Sequence, residues 1–209
     1  MDAGARQQLE SELRALHAAG RYEQAAAAAI RGYGPELFGF LMSMNHGAEH
    51  ADDVFSMWSE QLWLGLPRFS WACSLRTWAY TIARNASISL LRQSQRERRR
   101  RAAAPASDVL QQVAQQVRES TLVFLRTEVK NRLRELRDRL PEEDRTLLIL
   151  RIDRQIEWKD LAQILAGDDV VLAPEVQRRE AQRLRKRFQM LKVQLLELAR
   201  KDGLLGQDE

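Results

Sequence analysis

At 209 residues, 44% hydrophobic and 30% charged, the chain can form one large domain or two small ones. No run of about eighteen apolar residues offers a membrane span, and residues 1–4 lack the basic-then-apolar shape of a secretory signal. One cysteine, Cys73, excludes a disulfide framework and a cysteine-based zinc cluster, and three histidines and ten glycines leave little material for a His-rich metal site or a glycine-rich phosphate loop, so neither catalysis nor a cofactor is expected and a reducing cytoplasm suits the chain.

Residues 2–19 and 22–30 are rich in Ala, Leu, Glu, Gln and Arg, strong helix formers, with Gly20 as the stop between them. Gly32 and Gly34-Pro35 then punctuate the chain before a helix over 36–45, where Leu37, Phe38, Leu41 and Met44 form an apolar stripe. Residues 51–64 carry Val54, Phe55, Trp58 and Leu62 at helical spacing. The stretch 65–73 has no period and reads as a loop. Ser74 is a plausible N-cap for a helix running to about residue 101, with Leu75, Trp78 and Ile82 facing inward.

Residues 102–116 hold one charged group, Asp108, among Ala, Gln, Ser and Pro, and read as a linker with some helical tendency. From 118 to 140 the positions Leu122, Leu125, Val129, Leu133, Leu136 and Leu140 mark an amphipathic helix. Pro141 and three acids open another, carrying Leu147, Leu148 and Leu150. A short helix over 158–166 ends at Gly167, and Pro174 starts a long last helix striped by Leu184, Phe188, Leu191, Leu195 and Leu198. The fold class that follows is all-α: two small helical domains joined by a flexible linker, the C-terminal one with a helix-turn-helix. The divisions are a helical extension (1–30), a first domain (31–101), the linker (102–116) and a second domain (117–209).

The net charge of +4 conceals segregation. Residues 1–60 carry −5, 61–101 carry +8, 102–170 carry −2 and 171–209 carry +3. Arg92, Arg96, Arg98, Arg99, Arg100 and Arg101 form one basic focus; Arg178, Arg179, Arg183, Arg185, Lys186 and Arg187 form another. Either run alone reads equally well as a solvated helix face. Two arginine-rich foci favour polyanion contact, because guanidinium pairs bidentately with phosphate. The acidic front calls for a different partner.

His46 and His50 stand at i and i+4, but Glu49 is misplaced for a His-Glu-x-x-His site and no third ligand follows. Cys73 has no recognisable histidine partner. Phe69, Trp71, Trp78 and Tyr80 interleave with Arg68, Arg76, Arg84 and Arg92, a mixture suited to stacking and charge on single-stranded nucleic acid. Trp78 shares a stripe with Leu75 and Ile82, so a core role suits it better; no stripe explains Phe69 and Trp71. In the last helix Gln177, Arg178, Gln182, Arg183, Lys186 and Arg187 are candidate readers of base edges, although an ordinary charged packing helix has the same pattern. The turn before it is long for a tight helix-turn-helix.

Ala51-Asp52-Asp53-Val54, Trp63, and Trp78-Ala79-Tyr80-Thr81-Ile82-Ala83-Arg84-Asn85 together resemble region 2 of bacterial extracytoplasmic-function sigma factors, of the sigma-70 family. Leu140-Pro141 through Leu150-Arg151, and Trp158-Lys159-Asp160-Leu161-Ala162, resemble the start and the first helix-turn-helix element of region 4. The resemblance spans roughly residues 30–101 and 118–200. It implies a transcription initiation factor without catalysis, metal or membrane insertion, whose partners are core RNA polymerase and promoter DNA.

By position, Asp52, Asp53, Val54 and Trp58 would meet the beta-prime coiled coil. The loop 65–73 and Arg68, Phe69, Trp71, Arg76, Tyr80, Arg84, Asn85 and Arg92 would hold and open the −10 element. Gln177, Arg178, Arg179, Gln182, Arg183, Lys186 and Arg187 would read the −35 element, with the surrounding domain on the beta flap and the linker threading between. Residues 1–30 have no counterpart in the minimal family pattern, and three roles stay open for them: autoinhibition, binding of an anti-sigma factor, or extension of the fold. Ser56 and Ser59 depart from the family's usual Gln and Phe, and residues 167–173 are an insertion that loosens the recognition-helix register. Two other readings stay open: an independent helix-turn-helix regulator, and a helical protein-binding adaptor.

Overall fold

A computed structural model describes residues 1–44, 48–92, 110, 112–117, 135–167 and 170–202. Every element among them is helical: α1 (Ala3–Ala18), α2 (Tyr22–Met44), α3 (Ala48–Gly65), α4 (Leu75–Arg92), α5 (Glu142–Leu148), α6 (Trp158–Ala166) and α7 (Pro174–Lys201). A 3-10 turn (Leu66–Arg68) follows α3, a π-type turn (Ile149–Asp153) follows α5, and residues 112–117 and 135–138 are also helical. His46, the arginines at 96 and 98–101, much of the linker, and Leu122, Leu125, Val129 and Leu133 lie outside the described residues. By contacts the chain divides into two compact units, residues 1–125 with 164–171, and 126–163 with 172–209.

Local chemistry sets the helix ends in the first unit. Asp2 caps α1 by accepting the Ala5 amide at 2.8 Å. Gly20, at φ +70°, supplies the left-handed residue that turns the chain into α2. Ser74 caps α4, its Oγ accepting the Thr77 amide at 3.0 Å. That cap agrees with the sequence reading.

The break expected at Gly32 and Gly34-Pro35 does not occur: α2 runs through it. A proline inside a helix costs about 3 kcal/mol. Burial of Ile30, Tyr33, Leu37 and Phe38 on either side of Pro35 outweighs that, at about 1.5–3 kcal/mol for each large side chain. The two glycines serve close packing instead. A Cβ on Gly32 would stand 2.2 Å from Leu9 Cδ2, and one on Gly34 would stand 3.0 Å from Val117 Cγ1. Here α1 and residue 117 lie directly against α2.

Two segments set apart in the sequence pack into the first unit. Residues 1–30 extend its fold, one of the roles left open for them, since Leu13, Ala25, Ala26, Ala29 and Ile30 are fully buried there. The end of the linker is not loose. Leu110, Val113, Ala114 and Val117 are buried at helical spacing, a periodicity that the Ala- and Gln-rich composition masks. The core between α2, α3 and α4 is aromatic: Phe38 meets Phe55 edge-on at 5.3 Å, Phe40 meets Tyr80 at 5.5 Å, and Trp58 donates its indole N–H to the Ala79 carbonyl at 3.0 Å.

In the second unit, Glu142, Glu143 and Asp144 occupy the first turn of α5, where the helix dipole favours anions. Arg137 forks onto Asp153 at 2.6 and 3.0 Å and holds the π-type turn against residues 135–138. Along α7, Ala181, Leu184, Phe188 and Leu191 are buried, whereas Leu195 and Leu198 of the expected stripe are only half-buried. Phe188 packs edge-on against Trp158 at the start of α6, 5.5 Å between ring centres.

Candidate nucleic-acid interface

The loop between α3 and α4 is an ordered stack. Phe69, 9% exposed, lies face to face with Trp78 at 4.6 Å, with the planes 19° apart. Trp71 leans on Phe69 at 4.9 Å and meets the His17 ring edge-on at 5.7 Å. Arg14 sits 4.4 Å above the Trp71 ring, a cation–π contact. Trp71 itself has φ +62°, a left-handed backbone unusual for a bulky residue and costly by on the order of 1–2 kcal/mol. These contacts hold it there.

Beside the stack is a groove of about 320 Å³, at the small end of ligand-pocket sizes. Gln61, Gly65, Trp78, Ile82, Asn85, Ala86 and Ser89 line it. Trp78, Ile82, Asn85 and Ser89 follow one another at i, i+4, i+7 and i+11, a single face of α4. The groove thus offers an indole, small apolar side chains, two amides and a hydroxyl. Aromatic and polar groups of this kind are the ones that bind unpaired bases. Gly65 is needed here, since a Cβ would approach Trp78 Cζ2 to 2.8 Å.

The sequence-derived residues divide between this surface and the core. Arg68 is exposed on the 3-10 turn, and Arg84 and Asn85 are half-buried, with Arg84 Nη1 donating to Asn85 Oδ1 at 3.5 Å. Arg76 is not a free cation: its Nε and Nη2 donate to the two Glu36 oxygens at 2.7 and 3.1 Å, and the residue is 8% exposed. Burial alone would lower its pKa, but the hydrogen bond and charge of Glu36 outweigh burial and raise it. Tyr80 is fully buried in the aromatic core. Both act here through packing. Arg92 ends α4, and its side chain lies outside the described set.

On α3, Asp53 is exposed and Asp52 half-buried, while Val54 and Trp58 have no exposed surface. The latter two support the acidic face from beneath and do not belong to it, because they sit on the inward stripe of the helix. Ser59, in place of a larger residue, is buried and returns its hydroxyl to the Phe55 carbonyl at 2.8 Å.

On α7, Arg178, Arg179, Gln182, Arg183 and Lys186 are exposed. Gln177 donates its amide to the Lys159 carbonyl at 3.1 Å and so ties α7 to α6. Arg187 is committed to α5, Nε to Asp144 at 2.6 Å and Nη1 to Glu143 at 2.8 Å, and those bonds raise its pKa. It is a brace between helices in this structure. Trp158 carries Arg151 at 4.8 Å and Arg185 at 5.7 Å over its ring.

Sequence reasoning missed Gln61, Ser89 and Ala86 as groove residues, although the spacing from Trp78 to Ser89 was available to read. It also missed Glu10. The Glu10 carboxylate accepts the amides of Leu75 (3.1 Å) and Arg76 (2.9 Å) at the start of α4 and the Tyr33 hydroxyl at 2.7 Å. No local pattern signals a contact across 65 residues.

Residues 29–97, about a third of the chain, match the Sigma-70 region 2 family model. The matched segment contains α3, the aromatic loop and the groove-lining face of α4. Sigma-70 family proteins are transcription initiation factors and not enzymes, and region 2 binds core RNA polymerase and promoter DNA. No curated protein matches the sequence. No described helix is long and apolar enough to cross a membrane.

Proposed function

We propose that the chain is an RNA polymerase sigma factor of the extracytoplasmic-function type, which brings core polymerase to specific promoters and captures unpaired −10 bases. The groove between α3 and α4 carries this reading, because Trp78 offers a stacking face and Asn85 and Gln61 offer amides within the region 2 segment. The exposed Asp53 and its half-buried neighbour Asp52 give α3 an acidic face for a basic surface of polymerase. Helices α1 to α4 form the polymerase and −10 module. Helices α5 to α7 form a region 4-like module, with α6 and α7 as a helix-turn-helix on the −35 duplex and the exposed cations of α7 as its readers. Arg68 and Arg84 neutralise phosphate beside the groove.

The test is retention of full-length protein on core polymerase, followed by selection from a random pool of single-stranded oligonucleotides. Wild type should be retained and should enrich a short motif. The double change Asp52→Arg with Asp53→Arg should abolish retention. Sequence-specific duplex binding without any affinity for polymerase would instead indicate an independent regulator.

A further inference from the structure

The matched region 2 segment begins at residue 29, yet three residues of α1 reach the loop that borders the groove. His17 Nε2 donates to the Leu66 carbonyl at 2.9 Å, at the point where the chain leaves α3. Arg14 and His17 flank the Trp71 ring in the middle of the loop. Glu10 accepts the Leu75 and Arg76 amides where the loop passes into α4. One helix therefore holds the loop at its beginning, middle and end, and these contacts span 49 to 66 residues of sequence.

The contacts also connect to the groove. From α1 the rings run His17, Trp71, Phe69, Trp78, each in contact with the next, and Trp78 is a wall of the groove. Movement of Trp71 out of its left-handed conformation would release Phe69 and leave Trp78 without its stacking partner. The Glu10 bonds fix the first turn of α4, three residues before Trp78.

We infer that α1 sets the shape of the groove, and that His17 and Glu10 are positioning residues for its base preference. They touch no base themselves. This inference rests on the proposed capture of unpaired bases and assigns selectivity to residues outside the region 2 segment.

The experiment uses full-length protein bound to core polymerase and the random single-stranded pool, comparing wild type with His17→Ala and His17→Gln. The Gln amide nitrogen occupies nearly the place of imidazole Nε2 and can still reach Leu66. His17→Ala should flatten the preference at one motif position by about fivefold, the factor associated with one ordinary hydrogen bond, while polymerase retention and helix content stay at the wild-type level. His17→Gln, which keeps the bond to Leu66 but not the ring edge on Trp71, should restore the preference in part. If His17→Ala does not fold, His17→Asn replaces it, since its shorter side chain cannot reach the carbonyl. An Ala or Asn variant as selective as wild type overturns the inference and leaves the proposed function standing. A wild-type protein that enriches no motif overturns both.

Discussion

Arg76 and Glu36 form a two-pronged ion pair inside the first unit, 2.7 Å at its shorter bond, with side chains 9% and 19% exposed. A cation that by sequence belongs to a phosphate-binding series is thus neutralised by a carboxylate 40 residues away, and it braces α4 against α2. Glu36→Gln should destabilise the protein by on the order of 3 kcal/mol, because the buried guanidinium loses its counter-charge. Urea denaturation measures the loss. If Arg76 instead served DNA directly, the same change would free it and raise oligonucleotide affinity.

Gly65→Ala probes the groove. The new methyl would stand 2.8 Å from Trp78, whose ring is already fixed against Phe69, so the indole must tilt. Single-strand affinity should fall about tenfold, equivalent to about 1.4 kcal/mol of lost stacking, within the range for one base–aromatic contact. Fluorescence anisotropy with a labelled oligonucleotide reads it. Unchanged affinity together with an altered near-ultraviolet aromatic signal would place base capture elsewhere.

Tyr33 donates to Glu10, and burial, followed by that hydrogen bond, raises its pKa well above the usual phenol value of 10.0. The unfolded chain therefore releases the proton first as pH rises. Stability from this group is complete below about pH 10 and declines above it, by about 1.4 kcal/mol per pH unit, until the folded phenol titrates. Tyr33→Phe should remove that part of the alkaline slope in denaturation curves between pH 9 and about pH 11. A variant with the wild-type slope would contradict the assignment.

The basic face of α7 divides by exposure. Arg178, Arg179 and Arg183 project to solvent, so replacing any one by Gln should lower the slope of log affinity against log salt for duplex DNA by about one. Arg187 is already held by Asp144 and Glu143. Arg187→Gln should leave the salt slope unchanged and lower the melting temperature. Equal salt effects at all four positions would mean that Arg187 exchanges its partners for phosphate.

Much of the helical layout is legible in the residues. Asp2, Ser74 and Pro174 mark helix starts and Gly20 a stop, because caps and stops depend on groups only a few positions apart. The apolar stripe of α7 is equally local, and so is the resemblance of Asp52–Asp53 and Ile82-Ala83-Arg84-Asn85 to sigma-70 region 2. Exposure is less legible. Arg76 and Arg84 fall on one helix in one basic series, and only packing against Glu36 buries the first while the second stays half-buried.

The alternation of acidic and basic segments, the helical period and the helix ends follow from the sequence alone, since each depends on neighbours within a turn or two. Tertiary structure decided which charges remain available. Arg76 and Arg187 gave theirs to carboxylates about 40 residues away, and Arg14 gave its cation to Trp71. It also decided that α2 passes through Gly34-Pro35, because burial on both sides exceeds the cost of the missing hydrogen bond. Pairing of this kind requires two distant segments to be brought together, and no periodicity in a single segment records its partner.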